Sequence, residues 1–314
     1  MNGNNTGILE LKLLGFSGSQ DFRHLLFFIF FLLYVVIIIG NSVIIIMVCT
    51  NHHLHSPMYF FLSNLSVMEI FITSVVIPTM LGGLVTTQIQ TMSFGACMAQ
   101  LYLFLSVGTS EFVLLAAMAV DRYVAICNPL RYSLIMNHQV CLWMAITCWA
   151  FGFLFQTWPI VATYHLYFCG PNTLNHFYCE RGQLLRLTCG DSRFQQFVLF
   201  LMAAFILFGT LLPTIISYTY IICTILRIPS ASGRKKAFST CASHFTVVVI
   251  GYGTCLFLYV KPKQTQAAEY NKMISLMTSV VTPLLNPFIF TLRNDQVKGI
   301  LIDGVKQLSH FLKK

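Results

Sequence analysis

The sequence predicts an all-α membrane protein, a seven-transmembrane helix bundle with an extracellular N-terminus and a short amphipathic helix after span seven. Three observations predict it. Only 9% of the 314 residues are Asp, Glu, Lys or Arg, where a soluble domain carries about a quarter. Mean hydropathy is +0.74, which points to lipid as the solvent. And seven apolar segments of the length needed to cross the hydrocarbon, about 20 residues each, follow one another along the chain.

The first span is "LLFFIFFLLYVVIIIGNSVIIIMV", residues 25–48. The start, "MNGNNTGILELKLLGF", lacks a basic segment followed by a short apolar core, so the first apolar run is expected to insert rather than be cleaved. Six further spans lie near 58–80, 98–121, 140–163, 196–226, 238–260 and 270–292. The fifth is longer than a bilayer requires and is expected to reach into the cytoplasm. The domain reading is an extracellular segment 1–24, a bundle 25–292 and a cytoplasmic tail 293–314. In that tail Val297, Ile300, Leu301, Val305 and Leu308 recur at helical spacing between Lys298 and Lys306, the pattern of an amphipathic helix on the inner leaflet.

Orientation follows from charge and cysteine. With the N-terminus outside, 11 Lys and Arg fall on the inner side and 8 on the outer, a modest positive-inside bias. Four of the 11 Cys, Cys97, Cys169, Cys179 and Cys189, fall in outer segments. An even number in an oxidising compartment suggests two disulfides, with three pairings open. The sequon at Asn4 also lies outside and is a glycosylation candidate. The net charge of +9 does not indicate nucleic acid, because no basic run exceeds the three residues Arg234, Lys235 and Lys236; loop charge facing anionic headgroups accounts for it.

Charges inside spans are costly and mark function by default. Glu69 falls in span two and Glu111 in span three. Two carboxylates at similar depth cannot both ionise without a cation between them, so the pair is a candidate sodium or proton site. The structural alternative is two neutral acids bonded to backbone and hydroxyls. His52, His53 and His55 have metal-compatible spacing, but no carboxylate or Cys completes a set, and no transition metal is expected. Asp121 and Arg122 close span three. Adjacent helical residues do not share a face, so Arg122 can point into the bundle while Asp121 restrains it from the side. A restrained arginine at the inner mouth suits a switch.

The stretch "MAVDRYVAICNPLRY", 118–132, resembles the signature of vertebrate odorant receptors, a branch of rhodopsin-like G-protein-coupled receptors. "LLGFSG" at 13–18, Gly40-Asn41, "LHSPMYFFLSNLS" at 54–66, "SYTYII" at 217–222, "KAFSTCASH" at 236–244 and "PLLNPFIFTLRN" at 283–294 resemble the family's other motifs, in order. "HFYCE" and the short third outer loop are more similar to the tetrapod-type class II than to the fish-like class. The resemblance implies that Asp121, Arg122 and Tyr123 form the switch, with Tyr218, Asn286 and Pro287 as its partners. At rest Asp121 is expected to hold Arg122, which on activation swings toward Tyr218 and a G protein. It implies the disulfides Cys97–Cys179 and Cys169–Cys189, and a sodium ion at Glu69 and Glu111. It also implies a stimulatory olfactory G protein, a rise in cyclic AMP, and a plasma-membrane location in olfactory cilia. The sequence departs from the family at Glu69, usually Asp; at Phe290, usually Tyr; and at Gly251, often Phe.

A site for small neutral volatiles should be apolar, closed and sparsely polar. Phe104, Leu105, Gly108 and Thr109 share one face of span three. Met202, Ala203 and Ile206 are expected to face them from span five, Tyr252, Cys255 and Tyr259 from span six, and Leu276 and Ser279 from span seven. That set carries no formal charge, which favours a neutral ligand. Enzyme chemistry is not expected, since no nucleophile–base spacing accompanies the acids. A receptor for a lipid or metabolite is the nearer alternative. A transporter or channel would need a continuous polar path, for which only Glu69, Glu111 and Asn286 are candidates. Oligomeric state is not legible.

Overall fold

The computed structural model describes residues 10–16, 18–86, 89–189, 193–259, 267–292 and 299. Asn4 and the proposed amphipathic helix lie outside them. Seven helices form the bundle: α1 (Gln20–Thr50), α2 (Pro57–Val85), α3 (Phe94–Cys127), α4 (His138–Tyr164), α5 (Arg193–Arg227) and α6 (Ala231–Tyr259), then α7, which runs as Ala267–Leu276, a π-helical turn Met277–Val281 and Thr282–Leu292. All seven overlap the expected spans and extend beyond most of them.

The starts are set by caps. Ser19, Ser93 and Asn137 accept from Phe22 N, Ala96 N and Val140 N at 3.3, 3.2 and 3.0 Å, each satisfying an amide that the first turn leaves open. Pro57 opens α2, where its missing N–H costs nothing. Among the described residues, six helices are long and apolar enough to cross a membrane on those grounds alone. Helix α6 carries Arg234, Lys235 and Lys236 in its first turns, ahead of its apolar stretch, so the helix is longer than its apolar part. Helix α5 is 35 residues long, about 50 Å at 1.5 Å per residue, so it too overruns the hydrocarbon.

Helix α3 is the hub, packing against α2, α4, α5 and α6. Its approach to α4 is close. A Cβ placed on Gly152 would lie 2.0 Å from Ser110 Oγ and 2.4 Å from the Ser106 carbonyl, so these small residues let the two backbones meet. Helix α1 meets α7 in a similar way. A Cβ on Gly40 would sit 3.3 Å from Pro287 Cβ, and Asn41 Nδ2 donates to Ile37 O and Pro283 O at 3.1 and 3.2 Å. The second bond draws on the carbonyls near the prolines of α7, which lack helical partners.

One element was not expected. A three-stranded sheet, ordered β2-β1-β3, closes the outer end. β1 (Glu10–Leu14) pairs antiparallel with β2 (Ile89–Ser93) and parallel with β3 (Thr173–Leu174). Leu11 and Leu13 alternate inward and are buried with Phe94, Leu101, Phe168, Leu174 and Leu187. The amino-terminal strand therefore ties the first and second outer loops together.

Candidate functional site

The structure joins Cys97 to Cys179 and Cys169 to Cys189. The first bridge pins the second outer loop to the head of α3, and Gln100 completes the attachment. Its Oε1 accepts from Cys179 N at 2.9 Å, and its Nε2 donates to Val75 O at 2.8 Å. The loop is thereby held over the mouth of a cavity of about 310 Å³, at the lower end of the range for small-molecule sites.

Phe104, Leu105, Gly108 and Thr109 from α3, Met202, Ala203 and Ile206 from α5, and Cys255 from α6 wall that cavity. Gly108 has nothing within 4 Å of where a Cβ would sit, so its missing side chain is open volume. The remaining expected residues lie elsewhere. Tyr252 packs edge-on against Phe112 with ring centroids 5.1 Å apart, in a cluster with Leu207 and Val248. Leu276 turns toward the α1–α2 side, against Val280 and Phe177. Ser279 is fully buried and donates back to Ser275 O at 2.6 Å. The side chain of Tyr259 lies outside the described residues. In their place Asn271, Ser275, Thr278 and Thr282 form the α7 wall, and Gly251 stands above Leu115 on the α6 side. The misreading in α6 and α7 is one of phase. Their lipid faces are as apolar as their inner faces, so period alone does not say which stripe faces inward.

The expectation of an uncharged site is corrected. Glu111, Glu180 and Arg181 reach the cavity. Glu111 lies one turn below Gly108 on the same face, so the cavity runs deeper than the outer half. Glu180 and Arg181 arrive with the loop that folds over the mouth. Glu180 caps a short helix, accepting from Gly182 N and Gln183 N at 2.8 Å each. Arg181 Nη2 donates to Gln156 Oε1 at 3.2 Å, and Gln156 Nε2 to Thr109 Oγ1 at 2.9 Å. Gln156 was legible as a lone amide in an apolar span, though the sequence reading passed over it. Tyr178 also lines the cavity, and it and the buried His176 lie on either side of Ser275 Oγ at 3.4 and 3.2 Å. Burial pushes the Tyr178 hydroxyl up, so it stays a donor, and pulls His176 down to about 3, with Lys272 adding to the effect.

Below the cavity lies the acidic pair. Glu69 is buried and accepts from Asn286 Nδ2, and Glu111 is near enough to interact with it electrostatically. Thr73, one turn along α2 from Glu69, is fully buried. Phe290 is buried in the core between α2, α3 and α6, where a hydroxyl would find apolar neighbours.

At the inner end Asp121 and Arg122 are both buried, 1% and 6% exposed. Arg122 Nε donates to Asp121 Oδ2 at 2.9 Å, and Nη2 donates to the same oxygen. Tyr132, in the short helix Tyr132–Ile135 of the second inner loop, donates to Asp121 Oδ1 at 2.8 Å. Burial and the neighbouring Asp121 push its hydroxyl up, keeping it a donor. Tyr132 ends the quoted 118–132 stretch, yet nothing in the sequence assigned it a role; only folding of the loop brings it back to α3. Tyr123 does not join the ion pair but packs on Tyr220, ring centroids 5.7 Å apart. Tyr218 directs its hydroxyl to His244 Nδ1 at 2.7 Å. Arg122 is thus held, and Tyr218 is engaged elsewhere.

An outer cavity roofed by a disulfide-pinned loop, above a restrained arginine at the inner mouth, defines a seven-helix receptor of the rhodopsin-like class. Squid rhodopsin has this fold, with a TM-score of 0.65 at 16% identity over 91% of this chain and 81% of that one. A family described as olfactory receptor matches residues 30–307. The human olfactory receptors 9A4 and 9A1 are each 60% identical to it, the first over 97% of both chains and the second over 100% of both. The chain belongs to the olfactory receptor family. It is a multi-pass membrane receptor and not an enzyme, and membership implies an odorant ligand and a G-protein partner.

Proposed function

We propose that this receptor binds small, mostly neutral volatile molecules in the cavity between α3, α5, α6 and α7, and activates a stimulatory olfactory G protein that raises cyclic AMP. The cavity carries the reading. It is small and largely apolar, and its charged loop residues are already engaged by the protein, Glu180 by backbone amides and Arg181 by Gln156. A ligand with a formal charge would lose its hydration for little return. Ligand that binds an active arrangement better than the resting one shifts the balance toward it. Asp121, Arg122 and Tyr123 form the switch segment, with Tyr218, Asn286 and Pro287 as partners; release of Arg122 from Asp121 lets it meet Tyr218 and the G protein.

Glu69 and Glu111 are assigned to a sodium ion. Their oxygen-only donor set suits a hard monovalent cation. The buried Thr73 hydroxyl, which has no hydrogen-bond partner among the described residues, fits the same role. A bound sodium ion would offset one of the two negative charges, so that the pair is balanced with the second acid protonated.

The test is cyclic AMP in cells expressing the full chain, screened against volatiles, with choline replacing sodium in one arm. Arg122→Ala should abolish the response at unchanged surface level, and Glu111→Gln should remove any sodium dependence. A full response from Arg122→Ala counts against the switch.

A further inference from the structure

The cavity walls differ in the kind of hydrogen bond they leave open. On the α3–α4 side the polar groups form a closed chain: Arg181 Nη2 to Gln156 Oε1, Gln156 Nε2 to Thr109 Oγ1, and Thr109 Oγ1 to Leu105 O at 2.8 Å. A ligand must break that chain to use it. On the α7 side the threonine hydroxyl protons are committed to backbone, Thr278 Oγ1 to Ser275 O at 3.1 Å and Thr282 Oγ1 to Met277 O at 3.0 Å, and Ser275 Oγ is taken up by Tyr178 and His176. The threonine oxygens have only lone pairs left to offer. Two turns outward from Thr278, Asn271 is 5% exposed, lines the cavity, and its Oδ1 has no hydrogen-bond partner among the described residues. A buried acceptor left unpaired is costly, and a ligand that supplies the missing donor recovers that cost.

We propose that this cavity selects molecules carrying a hydroxyl donor, alcohols and phenols, over acceptor-only aldehydes, ketones and ethers of the same skeleton. The ligand O–H is directed to Asn271 Oδ1; the Thr278 hydroxyl, two turns deeper on the same helix face, is a second acceptor. The inference rests on the reading of the cavity as the ligand site. It adds the chemical class that the α7 wall admits.

The experiment uses matched alcohol, aldehyde and methyl ether triplets on aliphatic, terpenoid and aromatic skeletons. Binding is read as thermal stabilisation of the purified full-length receptor, and signalling as cyclic AMP in cells. The alcohol should bind about tenfold tighter than its methyl ether. Asn271→Leu should remove that preference with ether binding retained, and Thr278→Val, a near-isosteric change that leaves helix packing intact, should reduce it. Ethers or aldehydes that match the alcohol on every skeleton overturn the inference, as does a preference that survives both variants. Alcohol-selective binding without cyclic AMP supports it and overturns the coupling reading instead. Cyclic AMP responses with no alcohol preference overturn this inference alone.

Discussion

At the scale of single residues, the inner ion pair belongs to a three-member cluster. Asp121 accepts from Arg122 through one oxygen and from Tyr132 through the other. The tyrosine fixes the carboxylate's orientation from the second inner loop, so the ion pair is not free to rotate away. Removing that hydroxyl leaves the charges in place and loosens their geometry, a loss of about 1 kcal/mol. Tyr132→Phe should therefore raise ligand-free cyclic AMP several-fold per receptor at the surface, which a reporter normalised to surface staining would measure. The ion pair itself was readable from the sequence, because Asp121 and Arg122 are charges at the end of an apolar run. Tyr132 was not, because a tyrosine in a loop carries no signal until the loop is folded.

At the scale of elements, two glycines have opposite meanings. Gly152 is where α3 and α4 touch, with a Cβ blocked by Ser110 and the Ser106 carbonyl. Gly152→Ala must push the helices apart, at a cost of about 1–3 kcal/mol, and should lower surface expression. Gly108 faces open cavity. Gly108→Val should leave expression unchanged and exclude the larger members of any ligand series, checked by dose–response across increasing chain length. Helix existence was legible from apolar length, and the α3 face from its tie to Cys97. The inward stripes of α6 and α7 were not, since apolar residues there serve lipid and bundle alike. β1 was hidden for a different reason: five residues of strand mean little until β2 and β3 are placed beside them.

At the scale of the molecule, the outer end is built as a lid and the inner end as a lock, with α3 running between them. The lid is pinned by the Cys97–Cys179 bridge and strapped by β1. Lys272 Nζ donates to Gly15 O at 3.1 Å, and Phe16 stacks between Phe30 and Phe177. His176 is buried beneath it and held neutral, its pKa pulled down to about 3. An unfolded His titrates near 6.5. Between those values the unfolded chain binds a proton that the folded lid refuses. The stabilising contribution is thus complete above about pH 6.5 and declines as pH falls toward 3. The purified receptor should melt at lower temperature at pH 5 than at pH 7.5, and His176→Gln should flatten that slope.

The central claim is that occupancy of the outer cavity is passed to the inner ends of the helices. Labels at Arg131→Cys and Lys235→Cys, both exposed on the inner side, with Cys49 and Cys223 replaced, report the separation of the α3 end from α6. An agonist identified by cyclic AMP should lengthen that distance, and Arg122→Ala should change the distance without restoring the signal. An agonist that raises cyclic AMP while the distance stays fixed would contradict the account.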